Sequence, residues 1–334
     1  MRIFLSCLLL LVLLPGWSGE QRLPLLGSKA AMDVRPVALD PRDPARRRIG
    51  ALTYLGGIEL VSRDPAFGGF SSLMVRGDRF TLLSDGGNIV QFAMGADWQP
   101  HGLRFGNLPA GPGRGWEKRD RDSESMAVDL RTGTLWVGFE GYNQIWRYAP
   151  DFTRAEAYVA PRAMAKWPRN GGAESLARMP DGRFVMISEE ARVPRPAWRG
   201  SEESRCTTRQ GLIFAGDPLR HDPRRFAYRV TPYFDVADAG ALPDGSLVVV
   251  ERRFRLPFRF SNRIMLVPAA EIAPGRIARG QLLAELDAPL VHDNFEGVAV
   301  TQEAGATILW LVSDDNQMLL QHSYLLKFRL DRRR

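Results

Sequence analysis

The chain has 334 residues, of which 45% are hydrophobic and 25% charged, a composition that indicates a folded protein and excludes a largely disordered one. The formal net charge is +7, and the basic residues are almost all Arg. Arg side chains that form patches favour phosphate or carboxylate partners. If they are simply solvated, the charge indicates no particular partner. Because the basic residues are scattered and form no nucleic-acid-binding motif, a nucleic-acid partner is not expected.

The N-terminus has the pattern of a secretory signal peptide. An apolar run follows Arg2 and ends near Leu14, and small residues around Ser18 suit cleavage. The run is about a dozen residues long, whereas a membrane-spanning helix needs roughly 20. We therefore expect residues 1–18 to be removed on export, a periplasmic or secreted protein, and no membrane span. Removal would leave Cys206 as the only cysteine, so no intramolecular disulfide is expected.

Residues 19–49 show no repeat and are predicted to form an extended lead-in, and residues 50–331 are predicted to form one domain. Within that domain a lone strand at 51–61 precedes the first repeat, and the last repeat ends near Leu330. If these two ends share a sheet, the N-terminal strand completes the final blade. That pairing would close a ring of blades and leave no unpaired edge.

Five segments share one plan: a short strand, a tight turn, a second strand that ends in acidic or polar residues, and a third strand. They begin at Ser71, Glu124, Glu174, Ala239 and Glu296. The starts are roughly 50 to 65 residues apart, the length of a four-stranded blade with long loops. The sequence thus predicts an all-β fold, a single β-propeller. Five blades are visible, and a sixth is left open in 95–121 or 195–235, where Gly, Pro and Arg interrupt the pattern.

Acidic residues occupy the start of three repeats, namely Glu124, Glu174 and Glu296, with Ser72 and Asp238 nearest to that position in the others. Inner strands of a propeller begin near its axis, so these side chains are expected to meet at one mouth. Their mutual repulsion would have to be offset by protons or by a cation. Carboxylates suit Ca²⁺. The alternative is that they bond to backbone amides of neighbouring blades.

A second acidic set ends the second strands: Asp85, Glu140, Glu190, Glu251, Asp314 and Asp315. We expect Asp314 and Asp315 to join the metal ligands, although Asp at such positions also forms turns through its own backbone. Arg252 and Arg253 lie beside this set and are predicted to bind a substrate phosphate, with an internal ion pair as the alternative. His292 is predicted near the mouth as a general acid, or else in a solvent-exposed loop.

Several short motifs occur in a fixed order along the chain: GGFSSL at 68–73, DSES at 122–125, GAES at 172–175, PDG at 180–182, SEE at 188–190, ERRF at 251–254, NFEG at 294–297 and SDDN at 313–316. With this order, roughly residues 50 to 330 resemble the phytase-like family, also known as esterase-like activity of phytase. The resemblance implies an exported propeller with metal-assisted phosphoesterase activity, but it assigns no catalytic residue. The chain departs from the usual Glu-Gly by having Glu-Ser at 124–125 and 174–175.

The predicted function is hydrolysis of a small-molecule ester or phosphoester by a monomer with one or two Ca²⁺ ions. The predicted catalytic residues are Glu174, Glu296 and His292, the substrate ligands are Arg252 and Arg253, and the metal ligands are Glu124, Glu174, Glu296, Asp314 and Asp315. Two alternatives stay open: a non-catalytic periplasmic propeller that binds a ligand or protein, and a lactonase-like hydrolase with a central cation. Whether the chain is an enzyme is therefore not decided by its sequence.

Overall fold

The computed structural model describes residues 23–256, 259–318 and 320–331, so the predicted signal peptide lies outside the described residues. The N-terminal part of the described chain contains three strands, β1 (Asp33–Pro36), β2 (Arg48–Ile49) and β3 (Leu52–Val61). β1 and β2 fall within the segment that the sequence predicts to be a lead-in, and both pair with β3. No helix of the described residues is both long enough and apolar enough to cross a membrane.

The first two blades are four-stranded antiparallel sheets whose strands follow one another along the chain. The first contains β4 (Phe70–Arg76), β5 (Arg79–Ser84), β6 (Asn88–Met94) and β7 (Pro100–Asn107). The second contains β8 (Ser123–Val128), β9 (Leu135–Phe139), β10 (Gln144–Tyr148) and β11 (Ala155–Val159). A 3-10 turn at Lys118–Asp120 precedes the second blade. This meander of short hairpins is what the repeat predicts.

The third blade consists of β12 (Ser175–Arg178), β13 (Phe184–Arg192), β14 (Thr208–Phe214) and β15 (Arg224–Arg229). The short helix α1 (Glu202–Cys206) interrupts it between β13 and β14. The fourth blade consists of β16 (Asp235–Ala241), β17 (Leu247–Arg255), β18 (Arg259–Val267) and β20 (Gln281–Leu286), while the intervening β19 (Ile277–Arg279) pairs in parallel with β15. The Asp-Gly turns of these blades have the positive φ that only Gly adopts easily, +88° at Gly182 and +84° at Gly245.

The fifth blade closes the ring. It contains β21 (Asn294–Glu303), β22 (Ala306–Asp314) and β23 (Ser323–Leu330), and β3 pairs antiparallel with β23 as the fourth strand. The inner strands β4, β8, β12, β16 and β21 contact one another in a circle, and β21 also contacts β4. The predicted closure by the N-terminal strand is confirmed. Five blades account for the strands of the described chain, and the two segments that left a sixth open supply β7, β14 and β15 to the first and third blades.

Side chains packed between neighbouring blades hold the ring together. Phe80 of the first blade stacks on Phe92 and meets Trp310 of the fifth blade edge-on, with a ring-centroid distance of 4.8 Å. Fully burying such a side chain stabilises the fold by roughly 1.5–3 kcal/mol. Side-chain hydrogen bonds add to this. Asp238 accepts a hydrogen bond from the Val298 amide at 2.8 Å, so one carboxylate joins the fourth and fifth blades.

Candidate functional site

A cavity of about 710 Å³ opens at the end of the ring where the inner strands begin. Nine carboxylates and three basic side chains line it: Asp85, Glu117, Asp122, Glu124, Glu140, Glu174, Glu189, Glu296 and Asp314, with Lys118, Arg119 and Arg252. Every blade contributes a charged residue. Rotational repetition thus brings Glu124, Glu174 and Glu296 to one cavity, although they are far apart in the chain.

Two groups of three carboxylates lie in this cavity. The first is Asp122, Glu124 and Glu140, and the second is Glu140, Glu174 and Glu189; in each, one oxygen per residue lies within 4.8 Å of the others. Glu140 belongs to both groups. It therefore links the second blade, which supplies the first group, to the third blade, which supplies Glu174 and Glu189.

The backbone holds Glu140 in place. This residue follows β9, and its Oε1 accepts hydrogen bonds from the amides of Gly171 and Gly172, the latter at 3.1 Å. Gly171 has φ of +94°, and a Cβ there would lie 2.4 Å from Cγ of Glu190. Since neither the conformation nor the space suits a larger residue, glycine is required for this contact. One carboxylate oxygen of Glu140 is thus fixed.

Burial and mutual repulsion raise the pKa values of these acids. Burial, followed by the charge of Asp122, raises the pKa of Glu140 to about 8. Burial and then Asp85 raise the pKa of Asp314 to about 7. The pKa values of Glu124 and Glu174 rise well above their usual range because of burial and the neighbouring carboxylates. Unless a cation neutralises it, the cavity therefore retains protons near neutral pH.

The residues fit a hard divalent cation. Glu174 is only 5% exposed, and its Oε2 is buried without a hydrogen-bond partner. Leaving such an oxygen unpaired costs about 1–3 kcal/mol or more, so a ligand for it is expected. The two groups offer carboxylate oxygens alone, the donors that Ca²⁺ prefers. The five residues Asp122, Glu124, Glu140, Glu174 and Glu189 are those that would hold such ions.

Arg252 is the central basic residue of the cavity. Its Nη2 lies 2.6 Å from Glu189, and its Nη1 donates to Asn294 at 2.9 Å and forms an ion pair with Glu296. Near the first blade, Lys118 pairs with Asp85 at 2.6 Å. Both terminal nitrogens of Arg252 are thus bonded to the protein, which makes it a counter-ion of the carboxylates.

Five of the predicted site residues line the cavity: Glu124, Glu174, Glu296, Asp314 and Arg252. Arg253 does not, because consecutive residues of β17 point to opposite faces of the strand. Its guanidinium instead lies 4.6 Å from the ring of Phe234 in a neighbouring groove.

His292 and Asp315 also lie elsewhere. His292 lines a separate cavity, and its Nδ1 is 2.7 Å from the carbonyl oxygen of Leu290. The next residue, Asp293, accepts a hydrogen bond from the amide of His322 and lines the same separate cavity. Asp315 accepts hydrogen bonds from the Gly69 amide at 3.0 Å and from Ser323 at 2.8 Å. The expected placement of these two residues at the mouth is therefore not found.

Other acids of the repeat have structural contacts. Asp238 bonds backbone amides, as the sequence alternative allows. Glu251 is buried and accepts a hydrogen bond from Tyr228 at 2.7 Å. Glu190 lines the groove that contains Arg253. A recurrent acid thus marks a position in the blade, but the position alone does not bring it to the cavity.

The predicted set missed Asp122, Glu189 and Lys118. Asp122 precedes Glu124 by two residues, a spacing that places both on one side of an extended chain. Glu189 is part of the SEE motif, in which the repeat predicts its neighbour Glu190 to belong to the acidic set. Lys118 lies in a loop with no repeat pattern, so the sequence contains no signal for it.

Among known proteins, the chain matches the phytase-like family, described as esterase-like activity of phytase, over residues 65–317. No curated protein matches it. The PQQ-bound aldose sugar dehydrogenase of Streptomyces coelicolor is 15% identical, with a TM-score of 0.42 over 91% of this chain and 99% of that chain. The Cps50 (Swd1) β-propeller domain of Myceliophteria thermophila is 8% identical, with a TM-score of 0.38 over 92% and 99%. Hydrazine synthase of Kuenenia stuttgartiensis is 11% identical, with a TM-score of 0.38 over 76% of this chain; the chain spans only 58% of that protein.

Proposed function

The chain belongs to the phytase-like family, and from this premise we propose that it is a cation-dependent hydrolase that cleaves a phosphoester at the mouth of the propeller. One observation carries the proposal: two three-carboxylate groups share Glu140, and within the second group the buried Oε2 of Glu174 has no hydrogen-bond partner. Ca²⁺ is the cation that this set of oxygen ligands favours.

The charge of the cavity explains why a cation is needed. A phosphate ester is an anion, and nine carboxylates against three basic groups would repel it. Bound Ca²⁺ would neutralise the carboxylates, polarise a phosphoryl oxygen and lower the pKa of a water molecule. In the reaction the water oxygen forms a bond to phosphorus and the bond from phosphorus to the alcohol oxygen breaks. The alcohol leaves with a proton that comes from the water.

The chain's own residues have separate tasks in this scheme. Asp122, Glu124, Glu140, Glu174 and Glu189 hold the cations. Glu296 lines the cavity without belonging to either group, so it is the candidate general base for the attacking water. Arg252 keeps Glu189 and Glu296 in place through its ion pairs.

The proposal is tested with the full chain after treatment with a chelator. We expect Ca²⁺ to restore hydrolysis of phenyl phosphate, and Glu174→Gln to lower both the rate and the calorimetric Ca²⁺ affinity at least tenfold. Glu303→Gln is the matched control, since Glu303 is at the opposite end of β21 from Glu296, does not line the cavity and pairs with Lys327. Full activity of Glu174→Gln in Ca²⁺ would refute the proposal. Cleavage of phenyl acetate alone would support a carboxylester hydrolase or lactonase instead.

The competing function is a non-catalytic propeller that binds a ligand or protein. The contacts of Arg252 favour this function. Both of its terminal nitrogens donate hydrogen bonds to protein side chains, so its guanidinium is not left to bind a phosphate. This function requires that no ester is hydrolysed under any condition of the same test.

For either function we propose a periplasmic or secreted location, based on the N-terminal apolar run. Fractionation of cells that produce the full chain tests this location.

A further inference from the structure

A second cavity, of about 930 Å³, lies between the third and fourth blades. We name it the side groove, and the residues that matter here are Arg192, Arg209, Tyr233, Phe234, Arg253 and Phe254. They come from the ends of β13 and β17, from the start of β14 and from the segment between β15 and β16. The volume lies within the range of roughly 300–1,000 Å³ that is typical of small-molecule sites.

The side groove adjoins the acidic cavity. In β13, Glu189 lines the cavity and the next residue, Glu190, lines the groove. In β17, Arg252 and Arg253 are divided in the same way. Consecutive residues of a strand face opposite sides, so the ends of β13 and β17 lie between the two spaces. The spaces are neighbours, because the main-chain oxygen of Glu189 accepts a hydrogen bond from Nε of Arg209, which lines the groove.

Four arginines and two carboxylates, those of Glu190 and Asp235, line the side groove, so basic side chains outnumber acidic ones there, in contrast to the cavity. Arg209 pairs with Asp235 at 2.5 Å and Arg255 pairs with Asp287 at 3.2 Å. Within the described part of the chain, neither Arg192 nor Arg253 has a carboxylate at salt-bridge distance, and Nε of Arg253 is buried without a hydrogen-bond partner. Two guanidinium groups thus remain for an anion, which they can bind with paired donors.

Aromatic rings stand beside these two arginines. Tyr233 is 87% exposed and Phe254 is 48% exposed. Tyr233 has φ of +69°, a left-handed conformation that is costly for a bulky residue. Exposed rings next to a cation attract another flat ring through apolar contact and cation–π interactions.

We infer that the side groove binds the alcohol part of the substrate, and that this part is an aromatic group with a negative charge of its own. The inference rests on the proposed function, since it assigns the leaving group of a phosphoester. The phosphoryl group lies in the acidic cavity with its cations. The ring lies against Tyr233 and Phe254, and its charge pairs with Arg192 and Arg253.

Selectivity of the full chain in Ca²⁺ tests the inference. We expect wild-type kcat/KM to be at least tenfold higher for 4-carboxyphenyl phosphate than for phenyl phosphate. Arg253→Met and Arg192→Met should each reduce this ratio at least fivefold, and Tyr233→Ala should reduce the preference for phenyl phosphate over ethyl phosphate. Arg276→Met is the control, because Arg276 is exposed beside Glu271. Equal ratios in the wild type and in both arginine variants would overturn the inference.

A binding measurement separates this inference from the proposed function. Calorimetry with 4-hydroxybenzoate, the alcohol product of the probe, needs neither cation nor reaction. If the protein hydrolyses no phosphoester but binds 4-hydroxybenzoate, and both arginine variants weaken this binding at least fivefold, the ligand site in the side groove is supported and the proposed hydrolase function is refuted. Hydrolysis without binding of 4-hydroxybenzoate would refute the groove and leave the hydrolase. Circular dichroism of each variant shows that it is folded.

Discussion

Arg252 and Glu189 form an ion pair across the boundary between the fourth and third blades, with 2.6 Å between Nη2 and Oε1. The same guanidinium pairs with Glu296 of the fifth blade. One side chain, with 19% of its surface exposed, thus connects three blades at the mouth of the propeller. Its positive charge also partly compensates the surrounding carboxylates.

Replacing Arg252 by Met is expected to lower the free energy of unfolding by about 3–5 kcal/mol in the presence of a chelator, because Glu189 and Glu296 keep buried charges without a partner. Added Ca²⁺ should restore part of the loss. Urea unfolding with and without Ca²⁺ measures both effects.

The control for this variant is Arg255→Met, three residues along the same strand. Arg255 pairs with Asp287 and is 42% exposed, so its removal should cost less than about 1 kcal/mol. If the two variants lost the same free energy of unfolding, the carboxylates of the cavity would not need Arg252 as a counter-ion, and the prediction would be wrong.

The stability of the chelated protein is expected to fall as pH rises from about 5 to about 8. Burial raises the pKa of Glu140 from 4.5 to about 8, so in this interval the folded state binds protons that the unfolded state has lost. Stability then decreases with pH. The raised pKa values of Glu174 and Asp314 act in the same direction. The thermal midpoint as a function of pH measures this dependence.

Glu140→Gln keeps an oxygen that can accept the Gly171 and Gly172 amides but removes the titrating group. The midpoint of this variant should change less with pH than that of the wild type. A wild-type midpoint that is constant or rises between these pH values would contradict the prediction.

Gly57→Val is expected to weaken the closure of the ring. A Cβ at Gly57 in β3 would lie 2.6 Å from Leu326 of β23 and 2.6 Å from the hydroxyl of Tyr54. Such overpacking typically costs about 1–3 kcal/mol, and loosening β3 exposes the edge of β23 to aggregation. Urea unfolding and light scattering measure the two effects.

Gly106→Val is the matched control for ring closure. Gly106 is also a strand glycine, but it lies in the outer strand β7, and a Cβ there meets nothing within 4 Å. This variant should have the stability of the wild type within about 0.5 kcal/mol. If Gly57→Val were as stable and as soluble as Gly106→Val, the β3 contact would not control closure.

The repeat determined much of the architecture. Equivalent positions in a rotational repeat occupy equivalent places around the axis, so the starts at Glu124, Glu174 and Glu296 were sufficient to predict that these acids meet. The unpaired strand before the first repeat likewise predicted closure, because a sheet edge requires a partner. The signal peptide, the export and the hydrolysis remain predictions from the sequence and its family.

Tertiary structure alone decided which acids lie together and what surrounds them. A shift of one residue reverses the face of a strand, so sequence could not tell Arg252 in the cavity from Arg253 in the side groove, or Glu189 from Glu190. The contact of Glu140 with Gly171 and Gly172 depends on a loop from another blade. A repeat specifies the position of a residue around the axis, but the direction of its side chain and the distances between blades are set by packing of the whole ring.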